Sequence, residues 1–287
     1  MKRFGPLPVT LLLLTLLLGG CGSPSQLLFY PMKPWVQTPA DMGLLYQDLY
    51  LTTADGTRLH GWYLPAVGEP RGQLLFLHGN AENISTHVAN VAWLPAEGYG
   101  VLALDYRGYG RSDGVAMLPA VFEDLSAASQ WLFTHTPPPW ILLGQSLGGA
   151  LAAGFIDRAD AAPFDGLVLD APFARYQDIG RHALSRGWLS RWLLAPAARL
   201  LPEEYDPVDH LPRRSLPLLV FASPHDRVVP LAHTRELFAA AREPKQLQLH
   251  SLGHAATFND AAQRRQLLAF LAGIEPGSAT QGPGGQE

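Results

Sequence analysis

The sequence has little cysteine and little charge. Cys21 is the only cysteine among 287 residues, so no disulfide forms within the chain and nothing covalent staples the fold. Charged residues make up 16%, against about 25% in an ordinary soluble domain. The formal net charge is -4, and no basic run of the kind that tracks nucleic acid or an anionic membrane stands out. No apolar run reaches the roughly 20 residues that cross a bilayer. H-E-x-x-H, a Walker loop and a strand-borne G-x-G-x-x-G are missing, which sets aside the zinc, phosphate and dinucleotide chemistries those motifs carry. There is no internal repeat. What the chain does have is 47% hydrophobic residues, ample for one large α/β core.

The first twenty residues read as a separate object. Lys2 and Arg3 precede an apolar run from Leu7 to Leu18, then Leu18-Gly19-Gly20-Cys21. The run has the length of a signal-peptide core. The small residues ahead of the cysteine resemble the lipobox of bacterial lipoproteins. That resemblance implies removal of residues 1–20 and a lipid on Cys21, giving a protein anchored in the cell envelope. Gly22 in place of Asp points to the outer membrane, facing the periplasm. Residues 21–44 then read as a lipidated tether and an irregular arm, with Pro31, Pro34 and Pro39 against regular structure.

The main domain is expected over 45–272. Leu49 and Leu51, the turn Ala54-Asp55-Gly56, then Leu59, Gly61 and Tyr63 read as a β-hairpin. Short apolar runs follow at Leu74–Leu77, Val101–Leu104, Ile141–Leu143, Leu167–Leu169 and Leu218–Phe221, with a weaker one at Leu247–Leu249. Continuous apolar runs of this length suit parallel strands covered on both faces. The stretches 85–97, 119–134, 147–158, 231–242 and 257–272 have helical spacing. Strands alternating with helices argue for a single, mostly parallel α/β sheet with helices on both faces. Residues 173–212 interrupt the alternation and read as a helical cap insert. Within it Leu184, Trp188 and Trp192 recur every four residues, one helical stripe. Trp188, Trp192 and Leu193 either line an acyl pocket or bury themselves on the body, and the sequence leaves both open. The Gly- and Pro-rich tail 273–287 is expected to be disordered.

Gly144-Gln145-Ser146-Leu147-Gly148 lies between a strand and a helix. This is the setting that turns G-x-S-x-G into a nucleophile elbow. A serine hydroxyl is a poor nucleophile and needs exposure on a tight turn beside a base. An acid and then a histidine should follow in the chain. Asp226 follows the strand ending at Phe221, and His254 the one ending at Leu249. Both fall past strand carboxyl ends, where open α/β sheets place their sites. His254 would act as the base and Asp226 would orient it. The rivals are His250 and Asp209. The oxyanion hole needs two backbone N–H groups, expected from Leu147 and from Asn80 in the loop His78-Gly79-Asn80-Ala81.

His78-Gly79-Asn80-Ala81, Asp105-Tyr106-Arg107-Gly108-Tyr109-Gly110-Arg111-Ser112, Gly144-Gln145-Ser146-Leu147-Gly148-Gly149, Asp226 and Gly253-His254 occur in that order. Together they resemble the BEM46-like branch of the α/β-hydrolase superfamily, over about residues 38–271. That branch is similar to serine hydrolases including protein depalmitoylases. The resemblance implies a triad of Ser146, Asp226 and His254 and no cofactor or metal. Ser223-Pro224 stands where the family often has Gly, and Ala255-Ala256 where it often has Asn-Asp. Asp105, Arg107 and Asp170 are expected to be structural. The readings that follow are an esterase or thioesterase acting on acyl substrates at a membrane, a serine peptidase of the same fold, or a non-catalytic envelope lipoprotein.

Overall fold

The computed structural model describes residues 23–185 and 195–277. The segment 1–20, Cys21, Trp188, Trp192, Leu193 and residues 278–287 of the tail lie outside the described residues; the start of the tail is not free, since Ile274 is buried in the core. Eight strands form one sheet: β1 Gln47–Thr52, β2 Arg58–Leu64, β3 Gly72–Leu77, β4 Tyr99–Asp105, β5 Trp140–Gln145, β6 Gly166–Asp170, β7 Leu218–Ala222 and β8 Lys245–Leu249. Their order is β1-β2-β4-β3-β5-β6-β7-β8. β1 and β2 form the antiparallel hairpin, β2 also pairs antiparallel with β4, and every later pairing is parallel. This is a mostly parallel α/β sheet with helices on both faces.

Residues i and i+2 of a strand share a face, and the core divides accordingly. Leu75 and Leu77 of β3, Leu142 of β5, Leu167 and Leu169 of β6 and Val220 of β7 pack on one side. Helices α1 (Val121–His135) and α2 (Leu147–Phe155) cover that side. Leu74 and Phe76, Ile141 and Leu143, Val168, and Leu219 and Phe221 face the other. There they meet Leu267, Phe270 and Leu271 of the C-terminal helix Ala261–Leu271. Burial on both faces explains why the parallel strands read as unbroken apolar runs.

The strand order places the site. From β3 the chain moves to β4 on one side, then returns to β5 on the other. The crevice of an open α/β sheet opens where the winding reverses, which here is above the carboxyl ends of β3 and β5.

Two helical expectations are corrected. Residues 85–97 do not form one helix. They make a turn at Ile84–His87 and 3₁₀ turns at Val88–Asn90 and Pro95–Glu97. Val88, Val91 and Leu94 are all buried at three-residue spacing, the repeat of a 3₁₀ helix, and Pro95 cannot donate to a continuing α-helix. The stretch 257–272 divides at Asp260, whose carboxylate caps the amide of Ala262 at 2.6 Å; the α-helix starts only after it. In the insert, α3 runs Tyr176–Ser185 and a 3₁₀ segment covers Ala195–Leu200. The Gln177 amide joins them by donating to the carbonyls of Arg199 and Leu201, at 3.3 and 3.0 Å. Leu184 packs part-buried against the core.

Helix α2 is buried along its whole length, so its first turn lies flush against the sheet. A methyl group on Gly148 would overlap the carbonyl oxygen of Leu77, and one on Gly144 would overlap that of Gly148. Gly148→Ala should therefore cost about 3 kcal/mol or more, the upper range for overpacking, read as a shift in the urea unfolding midpoint. An unchanged midpoint would mean that this contact is loose.

Candidate active site

The geometry starts with Ser146. It stands between β5 and α2 at φ 54° and ψ -115°, a sparsely populated conformation that costs about 1–3 kcal/mol and persists only when the surroundings enforce it. Its amide donates to the carbonyl of Asp170 at 2.8 Å, and its carbonyl accepts from Ala150 at 3.1 Å. The turn is thus held from the neighbouring strand and from the helix. Leu147 is the first residue of α2, where backbone N–H groups have no acceptor inside the helix and the helix end carries positive potential.

The structure brings the three proposed triad members together. The Ser146 hydroxyl lies 2.9 Å from Nε2 of His254, and Nδ1 of His254 lies 2.7 Å from Oδ2 of Asp226. An ionised carboxylate only accepts, so Nδ1–H donates to Asp226 and Nε2 is left to accept from Ser146. The other carboxylate oxygen accepts from the amides of Val228 and Val229, at 2.8 and 3.0 Å. Burial alone would raise the Asp226 carboxyl. The bond and charge of His254 and the amides of Val229 and Val228 outweigh burial and hold it below the ordinary carboxylate range. The loop forms without glycine: Ser223 Oγ accepts from the amide of His225 at 3.1 Å, and its carbonyl accepts from that of Asp226 at 3.2 Å. The rivals take other places. Asp209 is half exposed, 3.8 Å from Arg175, and His250 turns to Thr257 at 3.0 Å.

The loop after β3 lies against the nucleophile, since a methyl group on Gly79 would meet Cβ of Ser146 at 3.6 Å. The side chain of Asn80 faces away from that role. Its carbonyl oxygen accepts from the Tyr30 amide, the Tyr109 hydroxyl and the Ala81 amide, at 2.9, 2.9 and 2.8 Å. Its amide donates to the carbonyl of Leu28 at 2.5 Å. Asn80 therefore pins the N-terminal arm to this loop, a link that sequence reasoning missed. What remains for the oxyanion is its backbone N–H.

Beneath the histidine loop Asp170 is structural, as expected, but its partners were not foreseen from sequence. Asp170, at the end of β6, is fully buried. One carboxylate oxygen accepts from the Gln145 amide at 2.8 Å and the other from the Thr257 hydroxyl at 2.6 Å. Burial raises this carboxyl and the two donors oppose the rise. Asn90 donates to the carbonyl oxygen of Gln145 at 2.9 Å. The network ties the loop bearing His254 to the residue just before Ser146. Asp105 and Arg107 hold turns, as expected: Asp105 accepts from the Ile84 amide, and Arg107 bonds Asp124 and Asp55. Among the described residues no three His, Cys, Asp or Glu side chains gather as metal ligands.

The model of the family described as serine aminopeptidase, S33, matches residues 68–213. Protein YfhR of Escherichia coli K12 is 31% identical over 237 residues, spanning 78% of this chain and 80% of that one. The lysophosphatidylserine lipase ABHD12 of Danio rerio is 26% identical over 201 residues, 67% of this chain and 53% of its own. Among solved structures, the Pyrococcus furiosus esterase Pf2001 superimposes with a TM-score of 0.70 at 22% identity, over 85% of this chain and 99% of that one.

Two outcomes follow from this geometry. A depressed folded value keeps Asp226 ionised in mild acid, and the stability it contributes is lost only as pH falls below about 3.9 towards that value. Stability to urea should therefore hold from about pH 7 to pH 5 on this count and fall below about pH 4 more in wild type than in Asp226→Asn; matching profiles would contradict it. Ala255, next to His254, sits at φ 56°, where Asn or Gly is at ease and Ala is strained. Ala255→Gly should raise stability by about 0.5–1 kcal/mol, and a loss on thermal melting would contradict the strain.

Proposed function

The chain belongs to the serine aminopeptidase S33 family and is a hydrolase of the α/β fold; on that basis we propose that it cleaves acyl esters or thioesters through an acyl-enzyme on Ser146, held at a membrane by lipid on Cys21. The observation that carries this reading is the continuous hydrogen-bonded chain Ser146–His254–Asp226, at 2.9 and 2.7 Å, beside the start of a buried helix.

In this mechanism the Ser146 oxygen bonds to the acyl carbon as its proton passes to Nε2 of His254. The N–H groups of Leu147 and Asn80 receive the charge that develops on the carbonyl oxygen, a term worth about 3–4 kcal/mol per donor where it has been measured. The carbon–oxygen or carbon–sulfur bond then breaks, and His254 gives its proton to the leaving alcohol or thiol. Water attacks the acyl-enzyme by the same route in reverse, releasing the acid and restoring the serine. Asp226 stabilises the imidazolium in both halves.

Acyl substrates are favoured over peptides on two grounds. A lipase and esterases stand among the similar proteins. Two acids at strand ends by the site are engaged, Asp226 by His254 and two amides, Asp170 by Gln145 and Thr257. Neither is left to hold a substrate's amino terminus. The serine peptidase reading keeps two supports, the description of the family and an acylaminoacyl peptidase of Pyrococcus horikoshii among the similar structures. Membership of the BEM46-like branch, an acyl pocket lined by Trp188, Trp192 and Leu193, and an outer-membrane location facing the periplasm belong to the same proposal. Among the described residues no helix is long and apolar enough to cross a membrane. A lipid on Cys21 would supply attachment that a spanning helix otherwise gives.

The test is turnover of p-nitrophenyl esters of increasing chain length beside amino-acid p-nitroanilides. Ester turnover should dominate and fall at least about 10³-fold in Ser146→Ala; anilide turnover without esterase activity would favour the peptidase. In cells fed radioactive palmitate, label should appear on the protein and vanish in Cys21→Ala, and label that survives the substitution would end the lipoprotein reading.

A further inference from the structure

The N-terminal arm, residues 23–36, does not hang free of the domain. Ser25 is buried, and its hydroxyl exchanges hydrogen bonds with the backbone of Leu118, at 3.0 and 3.3 Å. Leu28 and Phe29 enter the core, and Asn80 bonds the backbone of Leu28 and of Tyr30. The Met32 amide donates to Glu82 at 3.0 Å, and its carbonyl accepts from Gly110 at 2.9 Å. Asn83 donates to the carbonyls of Met32 and Pro34, and Val36 donates to Ser85. Every one of these partners lies in the segments leaving the carboxyl ends of β3 and β4. That is the edge of the sheet from which Ser146, Asp226 and His254 also emerge.

This attachment fixes where a lipid on Cys21 would enter a membrane. From Ser23, the first described residue, Cys21 is two residues away, a reach of at most about 7 Å. The same edge exposes large apolar side chains. Leu27 and Tyr30 of the arm are 52% and 64% exposed, Val115 after β4 is 56%, Leu200 of the insert 45%, and Val228 beside Asp226 44%. The opposite edge exposes fewer, Leu45 at 83% and Val67 at 68%, and beyond the carboxyl end of α2 it carries the charged side chains Arg158 and Arg213. Single lipid chains hold weakly, and a second apolar contact makes attachment durable.

We infer that the catalytic edge of the sheet is the surface applied to the bilayer, with the arm as a fixed bracket that sets the mouth of the site against the lipid. The inference rests on reading Cys21 as acylated and Ser146 as the nucleophile. It names the substrate class: acyl esters or thioesters that reside in the membrane and enter from the lipid side. Because Asn80 joins the bracket to the loop proposed to stabilise the oxyanion, anchoring and catalysis share one residue.

The experiment uses the full-length lipidated protein in phosphatidylethanolamine–phosphatidylglycerol vesicles containing nitroxide-labelled lipid. With Cys21 acylated, one added cysteine carries a fluorophore, at Val115→Cys on the catalytic edge or Ala159→Cys on the opposite edge. The Val115 label should be quenched several-fold more than the Ala159 label. Equal quenching, or the reverse, overturns the inference, as does a Val115 label that only a bound protein shields. In the pair Leu27→Glu with Val115→Glu, turnover of a vesicle-embedded acyl ester should fall about tenfold while soluble p-nitrophenyl acetate is cleaved as before. Equal loss on both substrates overturns it as well. If wild type cleaves neither, the hydrolase reading has failed, and quenching still reports the orientation by itself.

Discussion

A serine at a positive φ angle has to be kept there by its neighbours, and much of this molecule's upper half is arranged around that requirement. The turn at Ser146 is clamped by the Asp170 carbonyl on one side and by the first turn of α2 on the other. The helix can begin so close to the sheet only because Gly144 and Gly148 lack side chains that would strike the opposing carbonyls. With the turn set, the hydroxyl projects where β3 and β5 diverge. The parallel order of β5 to β8 then decides which loops can reach it.

Those loops need their own restraint, because a histidine carried on a loop is precise only if the loop is. Here buried polar groups do the holding. Asp170 reaches from the end of β6 to Gln145 and Thr257, and Asn90 completes the Gln145 amide. Polar groups without water must be paired to be tolerated, so this network has few alternative arrangements and the loop inherits its rigidity. The same logic works on the other side, where the Asn80 side chain is held by the arm and by Tyr109.

Much of this was legible in the sequence. Each apolar run became a strand at its expected place: β3 to β7 because a strand buried on both faces is apolar throughout, and β8, at the sheet edge, from leucines alternating with Gln. The triad residues could be picked by their position after strands, since topology brings strand ends to one edge. What was hidden depends on side chains meeting across long separations. Asp170 and Thr257 are 87 residues apart, and Leu28 and Asn80 are 52, with no local pattern to announce either contact. The segment 85–97 misled because three apolar residues at three-residue spacing resemble one face of an α-helix. The helix after Asp260 starts where that side chain caps it, a boundary that the apolar spacing of 257–272 does not mark.

The central claim is that Ser146 is an activated nucleophile, and reaction with a fluorophosphonate probe tests it most directly. The folded wild-type protein should gain one adduct by intact mass, located on Ser146. The adduct should be absent in Ser146→Ala and form far more slowly in His254→Ala. A folded wild-type protein that takes up no probe would contradict the account, leaving a triad with the right distances and no reactivity.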